Sequence, residues 1–254
     1  MLDLQLDQPW LAELASNVPD ALYQMRKRGT LTTLQRGRYL VATDMRSAHP
    51  RPRLEDLDPV ADAVLQRLGT PYYLSWHSAL WHYGLIDQQS RRIYVAITGR
   101  KRPTSIGLQS IRFVSVAERK FFGRVQIADF ERPVWMATVE KALIDSFDQP
   151  HLAAPVPVIA NALAGAYRRD LLDAERLIAD ALRFSSPNLN RRLGFFMDLF
   201  DIPGSEPLAL RVGRSYAVPL APGKTPAPGA RPPVNKRWRV YEDPAIVGTA
   251  LELK

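Results

Sequence analysis

Apolar residues recur at the spacing of one helix face shortly after the start of the chain. The positions that share this face are Val18, Ala21, Leu22 and Met25. Because residues three and four apart lie on the same side of an α-helix, this spacing predicts a helix with one buried face. Asn17 can cap its start and Gly29 can end it. The opposite, polar face of the predicted helix consists of Asp20, Tyr23, Gln24 and Lys27.

A β-hairpin is predicted directly after this helix. Two runs of β-favouring residues, 30–34 and 38–41, flank a three-residue loop in which Gly37 supplies the positive φ. With a shorter helix predicted at 9–15, the helix and the hairpin make the pattern of a winged helix-turn-helix. Residues 2–7 alternate apolar and polar and predict a strand where such a unit has a further helix. Either a strand replaces that helix or the natural start of the protein lies further upstream.

The pattern changes after this first unit. Residues 46–59 contain three prolines and many charges, which predicts a linker between a first domain at 1–45 and a larger domain at 60–254. The tail has short strand-like pieces around a Pro- and Gly-rich loop at 219–233. Apolar runs in the larger domain predict strands at 93–98, 111–116 and 124–128, and helical spacing predicts helices at 60–68, 75–84, 137–147, 155–167, 173–184 and 189–200. The predicted fold class is α+β: an N-terminal winged helix-turn-helix followed by a larger mixed α/β domain.

Two histidines stand five residues apart within residues 75–85, in a chain with four histidines. Ser75 is predicted to cap a helix, on which His77 and His82 lie about 140° apart around the axis. They therefore cannot bind one metal ion, because a zinc pair on a helix needs i, i+4 spacing. The apolar residues of this segment form a stripe that faces a core: Trp76, Ala79, Leu80 and Tyr83. The segment is predicted to be structural.

Composition excludes several kinds of site. The chain contains no cysteine, which excludes disulfides, thiolate nucleophiles and cysteine–zinc sites. No apolar run reaches the roughly 18 residues of a membrane span, and the first residues lack the order of a signal peptide. We therefore predict a cytoplasmic protein.

The candidate catalytic arrangements fail on spacing. Glu140 and Asp145 lie five apart on one predicted helix, which favours two solvated charges over a shared acid–base site. Asp129 and Glu131 have no lysine at the spacing of a nuclease motif. The segment 99–103 has no phosphate-loop pattern and predicts a basic turn between two strands. We predict no catalytic residue, no metal and no cofactor.

The net charge of +8 is concentrated rather than spread. Residues 90–124 hold nine basic residues and one acidic residue, Glu118. Residues 21–43 hold five basic residues and no acidic one. Patches this concentrated favour a polyanionic partner such as nucleic acid. With the predicted winged helix-turn-helix, the expected partner is double-stranded DNA.

Several polar side chains on and beside the predicted N-terminal helix can form contacts with DNA. Gln24 can pair with adenine, and the cations can serve guanine or phosphate. The candidates are Asn17, Tyr23, Gln24, Arg26, Lys27 and Arg28. In the larger domain the turn at 99–103 can present Arg100, Lys101 and Arg102 together to phosphates.

Five stretches, in this order, resemble the AbiEi family, the antitoxins and transcriptional regulators of abortive-infection (type IV) toxin–antitoxin pairs. They are GTLTTLQRGRYLV (29–41), YYLSWHSALWHYGLIDQQSRRIYVAIT (72–98), IADFERPVWMATVEKALIDSFDQP (127–150), NLNRRLGFFMDLF (188–200) and NKRWRVYED (235–243). The resemblance extends over most of the chain, from about residue 10 to residue 243, and rests on the order and spacing of the stretches.

The resemblance implies a repressor that binds inverted repeats in its own promoter and controls an operon with an AbiEii-type, nucleotidyltransferase-like toxin, which is a second possible partner. It gives the recognition role to Tyr23, Gln24 and Lys27 and the wing role to Arg36 and Arg38. It also implies a basic face on the larger domain, which matches Arg91, Arg92, Arg100, Lys101 and Arg102. Two alternatives remain open: a nuclease or nucleotidyltransferase-type enzyme targeted to DNA, and a regulator whose larger domain senses a small ligand.

Overall fold

The computed structural model describes residues 3–5, 18–27, 31–35, 38–41, 65, 68–88, 90–106, 109–127, 134–212, 216–223 and 232–252. The predicted helix at 9–15, most of that at 60–68, the linker at 46–59, and Asp129 and Glu131 lie outside them.

The N-terminal unit contains one described helix and three strands: β1 (Asp3–Gln5), α1 (Val18–Lys27), β2 (Leu31–Gln35) and β3 (Arg38–Val41). The strands form an antiparallel sheet in the order β1-β3-β2, in which Leu31 pairs with Val41 and Gln5 with Arg38. The predicted helix, the predicted hairpin and the predicted strand at the start of the chain are confirmed as elements. Their assembly into a winged helix-turn-helix stays a prediction.

The larger domain contains a six-stranded mixed sheet in the order β6-β7-β5-β4-β9-β8. The strands are β4 (Tyr72–Leu74), β5 (Arg92–Ile97), β6 (Thr104–Ile106), β7 (Gln109–Ser115), β8 (Arg124–Ile127) and β9 (Val134–Ala137). The β5–β7 and β4–β9 pairs are parallel, and the β6–β7, β4–β5 and β8–β9 pairs are antiparallel. The overall α+β class is as predicted.

One short helix lies between strands β4 and β5, and the other described helices of the larger domain follow the sheet in the chain. Those described in the larger domain are α2 (His77–His82), α3 (Val139–Asp148), α4 (Val156–Arg168), α5 (Ala174–Phe184), α6 (Pro187–Leu199), α7 (Glu206–Ala209) and α8 (Pro244–Glu252). Short 3-10 turns occur at Glu118–Lys120 and Pro150–Leu152. None of the helices in the described ranges has the length and apolarity that crossing a bilayer requires.

Helix α3 is the centre of the larger domain. It packs against α2, α4, α5 and α6 and against strand β9. Every side chain from Val139 to Phe147 is buried, so even its polar residues lie in the core. Thr138 caps the helix by accepting a hydrogen bond from the Lys141 backbone N–H, which satisfies one of the unpaired donors of the first turn.

The tail is fixed to helix α6. Strands β10 (Val218–Pro219) and β11 (Val240–Tyr241) pair in parallel. Trp238 is fully buried, and its indole N–H donates to Asp198 at 2.6 Å. Gly194 leaves the space that this indole ring fills, since a Cβ there would lie 2.1 Å from the ring.

Three short elements of the sheet were not predicted: β4, β6 and β9. Each has three or four residues, too few for an alternation to emerge from its surroundings. Helix α8 was not predicted either. Its glycine and β-branched residues lower its intrinsic helix propensity, and contact with α4 supports it.

Candidate nucleic-acid interface

Helix α1 exposes the polar face that the sequence predicts. The exposed side chains described on it are Asp20, Tyr23, Gln24 and Lys27, and those on the other side are the half-buried Leu22 and Met25. Tyr23 is 58% exposed. A phenol, an amide and an ammonium group therefore project from adjacent positions of one face. Asp20 lies in the first turn, where a carboxylate is favoured by the helix dipole.

The other predicted contacts of the N-terminal unit are not placed as side chains. Asn17, Arg28 and Arg36 lie outside the described residues. Arg26 belongs to α1 and Arg38 to β3 by their backbone. The structure thus locates the helix and the hairpin, and the wing role of the two hairpin arginines stays an expectation.

The basic turn of the larger domain is where the sequence puts it, between β5 and β6. Its side chains Arg100, Lys101 and Arg102 are all exposed. The Lys101 ammonium lies 5.4 Å from the centroid of the Phe113 ring, a cation–π distance. The turn therefore presents three cations to solvent on consecutive residues.

Strand β7 adds a cation that the sequence-based site did not include. Arg92 of β5 pairs with Ser110 of β7, and Tyr94 pairs with Arg112. Residues in register share a face of the sheet, so Arg92 and Arg112 lie on the same face, with Cα atoms roughly 8 Å apart. Both are exposed. The sequence offered one indication of this residue. Arg112 stands between two apolar residues of a predicted strand, so its side chain is expected to point away from the core.

Arg91 is also exposed, and it lies at a bend immediately before β5. Because it is outside the strand, the alternation of side chains along β5 does not fix its direction relative to Arg92. Arg92 and Arg112 are both strand residues and share one face of the sheet.

The two basic regions come close through their neighbouring strands. Cα atoms of β2, the first strand of the hairpin, lie within 8 Å of those of β6. The basic turn leads directly into β6. The hairpin backbone and the basic turn therefore lie in one part of the molecule. The sequence predicted a linker between the two domains but did not predict this proximity.

A second polar cluster lies in the interior of the larger domain. Lys141 is fully buried and its ammonium contacts the carboxylate of Asp145, which is 3% exposed. Asp145 also accepts hydrogen bonds from Ser75 Oγ at 2.8 Å and Tyr73 Oη at 3.3 Å. The Lys141 ammonium donates to Tyr73 Oη at 3.0 Å and lies 5.1 Å from the Phe184 ring centroid.

This cluster corrects one prediction. Glu140 and Asp145 were expected to be solvated charges, but both are buried, because α3 is enclosed on all sides by helices and the sheet. The i, i+4 spacing of Lys141 and Asp145 brings their charges together on one face of α3. Burial lowers the pKa of the Lys141 ammonium and raises that of the Asp145 carboxyl, and in each case the partner's opposite charge acts against the shift.

The cluster is enclosed rather than open to a substrate. Burial is also the main cause that raises the pKa of the Tyr73 phenol, followed by the charge of Asp145. Ser75 and Lys141 have no exposed surface. The arrangement joins strand β4 to helix α3, and its chemistry is that of a structural ion pair.

The turn from β4 into α2 differs from its predicted form. Ser75 was expected to cap the helix, but its hydroxyl donates to Asp145 instead. Trp76 occupies the cap position with a φ of 53°, which is rare and strained for a large side chain. Its indole N–H donates to the Asp145 carbonyl at 3.0 Å, and the ring is 1% exposed. The predicted core role of this segment is confirmed, and α2 is shorter than predicted.

The two histidines of this segment belong to different environments. No group of three or more histidine or carboxylate side chains within the described ranges is placed to hold a metal ion. Burial lowers the pKa of His77, opposed by its backbone hydrogen bond at Gln88, and the His82 ring packs edge-on against Tyr83.

Helix α5 contributes a third group of charges near Glu140. One Glu140 oxygen accepts a hydrogen bond from the Asp173 backbone N–H at 3.1 Å, and the other lies 3.9 Å from Arg176. Asp180 lies 4.0 Å from Arg176, and its buried Oδ2 accepts no hydrogen bond. Burial raises the pKa of Asp180, and the positive charge of Arg176 is the largest effect that lowers it. Burial and the Glu140 charge raise the pKa of Tyr83 to about 12.

Comparison with known proteins identifies a shared fold. No protein-family model and no curated protein matches the chain. The crystal structure of the Rv2827c protein from Mycobacterium tuberculosis superimposes with a TM-score of 0.61 and 14% sequence identity, over 93% of this chain and 82% of that one. At this identity the similarity establishes the architecture alone.

Proposed function

We propose that this chain is a cytoplasmic, DNA-binding autorepressor and antitoxin of a type IV toxin–antitoxin operon, and that it binds inverted repeats in its own promoter. The observation that carries the proposal is the exposed face of α1, which offers Tyr23, Gln24 and Lys27 directly before a β-hairpin. The amide can read a base edge in the major groove, and the ammonium can bind phosphate.

The basic surface of the larger domain supports the same proposal. Its exposed cations are Arg91, Arg92, Arg100, Lys101, Arg102 and Arg112. The proximity of β2 to β6 brings the hairpin and the basic turn to one part of the molecule. In this proposal α1 reads sequence, and the turn binds phosphates and positions the protein without reading bases.

The sequence resemblance to the AbiEi family supplies the operon context. It suggests a nucleotidyltransferase-like toxin of the AbiEii type as the product of the neighbouring gene. The chain's own part in this proposal is to repress transcription of both genes through promoter binding.

Two substitutions on α1 test the proposal in different ways. Gln24→Ala should relax preference at one operator position and weaken specific binding by about 1–3 kcal/mol. Lys27→Ala should weaken all sequences alike, because phosphates carry no sequence information. The measurement is fluorescence anisotropy with the chain's own promoter fragment, single-base variants of it and an unrelated duplex.

Lys236→Ala provides the matched control, since Lys236 is an exposed lysine in the tail, remote in sequence from α1. It should bind the promoter like the wild type. Equal promoter affinity of the wild type and both α1 variants would remove this helix from the interface. No promoter binding by the wild-type chain would refute the function itself.

A further inference from the structure

Two edge strands from different sheets lie beside each other. Strand β2 stands at one end of the three-stranded sheet, and β6 stands at one end of the six-stranded sheet. Among the described strands, β2 pairs with β3 and β6 pairs with β7. Cα atoms of β2 come within 8 Å of those of β6. We call this juxtaposition of β2 and β6 the edge contact. It joins the N-terminal unit to the larger domain.

The edge contact buries little of β6. Thr104 is half-buried and Ser105 is exposed, even though β2 lies beside their strand. On the other side, β2 contains the polar residues Thr32, Thr33 and Gln35. Two units of one chain that meet through a small, polar interface normally move relative to each other. The edge contact can therefore open and close without disturbing either sheet.

Both sides of the edge contact carry a net positive charge. The elements α1, β2 and β3 contain three basic residues, Arg26, Lys27 and Arg38, and one acidic residue, Asp20. Helix α1 packs against β2, and Lys27 is exposed on it. On the other side, the turn at 99–103 leads into β6 with three exposed cations and no acidic residue. Closing the contact brings charges of one sign together, which opposes closure unless counter-ions or an anionic partner neutralise them.

We propose that the edge contact is a charge-controlled switch. Repulsion between its two basic sides opens it in the free chain at low salt, and the phosphates of a bound duplex close it. The choice of promoter DNA as the polyanion rests on the proposed function, whereas the charges on the two sides do not. In the closed form α1 and the basic turn belong to one surface, so closure and DNA binding strengthen each other by the same factor.

Salt distinguishes this switch from simple DNA binding. The screening length of the solution falls from about 30 Å at 0.01 M salt to about 3 Å at 1 M salt. Added salt should therefore close the edge contact in the free chain, because it screens the repulsion. The same salt weakens DNA binding, because fewer counter-ions are released from the duplex. The two effects of salt have opposite signs and can be measured separately.

The test is chemical crosslinking between the two strands. The chain has no cysteine of its own, so a short bis-maleimide joins introduced thiols. Thr33→Cys with Ser105→Cys places one thiol near the middle of each strand, and Thr32→Cys with Ser105→Cys covers the opposite side of β2. The crosslinked fraction of the pair that faces β6 should rise at least roughly threefold from 0.01 M to 1 M salt. A promoter duplex added at 0.01 M salt should produce a similar rise.

Two controls are matched to this measurement. Thr33→Cys with Gln126→Cys puts the second thiol on β8, five strand spacings or about 24 Å from β6, and should give no crosslink. Changing Arg100, Lys101 and Arg102 to Ala in the crosslinking pair should raise the crosslinked fraction at 0.01 M salt to its value at 1 M, because the β6 side of the contact then loses its charge.

Three results would overturn the switch: crosslinking that stays constant with salt, a triple variant that responds to salt like the unsubstituted pair, or a duplex that lowers the crosslinked fraction. No crosslink in any condition would overturn the edge contact itself. Promoter affinity, measured by fluorescence anisotropy, separates this inference from the proposed function. A chain that binds no promoter but still closes with salt refutes the function and supports the salt-controlled closure.

Discussion

Lys141 and Lys101 belong to the same domain but lie in opposite environments. Lys141 is fully buried and paired with Asp145, whereas Lys101 is exposed between two arginines. Burial removes water from the Lys141 ammonium, and an opposite charge and hydrogen bonds must compensate for that loss. The exposed lysine keeps its hydration and adds to a field of one sign. Charge in the first cluster cancels locally, while charge in the second remains available to a partner.

The difference shows that residue type alone does not separate a structural charge from a functional one. Opposite charges spaced i, i+4 on a buried helix pair with each other. Adjacent like charges in an exposed turn instead favour a counter-ion from outside the chain. Substitutions in the buried cluster should therefore lower the stability of the fold, whereas substitutions in the basic turn should weaken DNA binding.

The largest effect is expected from Asp145→Ala. This change leaves the Lys141 ammonium buried without its charge partner, and it should lower the free energy of unfolding by about 3–5 kcal/mol. Urea denaturation followed by tryptophan fluorescence measures the loss. The double variant Lys141→Met with Asp145→Leu should recover most of it, because no charge is then buried. Equal losses in the single and double variants would show that side-chain packing, not charge, sets the stability here.

The basic turn should show the reverse behaviour. Changing Arg100, Lys101 and Arg102 to Ala should leave the urea midpoint unchanged, since all three side chains are exposed. If each binds one phosphate, the slope of log affinity against log salt should fall by about 2–3. Over a fourfold change in salt this corresponds to roughly a 40-fold difference in affinity at a slope change of 2.7. A salt titration with the wild-type slope would leave DNA contact to the N-terminal unit.

The smallest effect is expected at Asp180, which is only partly buried and whose Oδ2 lies 4.0 Å from Arg176 but accepts no hydrogen bond. Burial raises its folded-state pKa above the ordinary 3.8, so the folded chain binds this proton more tightly than the unfolded chain. Its contribution to stability is therefore lowest at neutral pH and increases as the pH falls through the folded-state pKa toward 3.8. Arg176, Arg183 and Lys141 oppose the shift, and Glu140 reinforces it.

Asp180→Asn removes the charge and should slightly raise the urea midpoint at pH 7. The gain over the wild type should shrink as the pH is lowered toward 4. A gain that stays constant across this range would mean that the aspartate titrates as it does in the unfolded chain. Glu175→Gln, at an exposed position on the same helix, serves as the control.

The long elements of the fold were predictable because their patterns are local. Helices α4, α5 and α6 carry several turns of helical spacing, β5 is apolar from Ile93 onward, and β7 contains the apolar residues Ile111, Phe113 and Val114. The exposed face of α1 followed from the same reasoning, as did the exposed turn after β5. Short strands such as β4 and β9 were not predictable, since three or four residues acquire their conformation from the strands beside them.

The sequence by itself determined the α+β class, the polar face of α1, the basic turn and the core role of Trp76, because each depends on residues close together in the chain. Tertiary structure decided the burial of Glu140 and Asp145, the strained backbone at Trp76 and the placement of Arg92 and Arg112 on one sheet face. It also brought β2 near β6 and joined the backbone at Val212 and Tyr216 to Arg191. Each of these depends on which segments pack together over long separations, and the free energy of such packing is not encoded in any one local pattern.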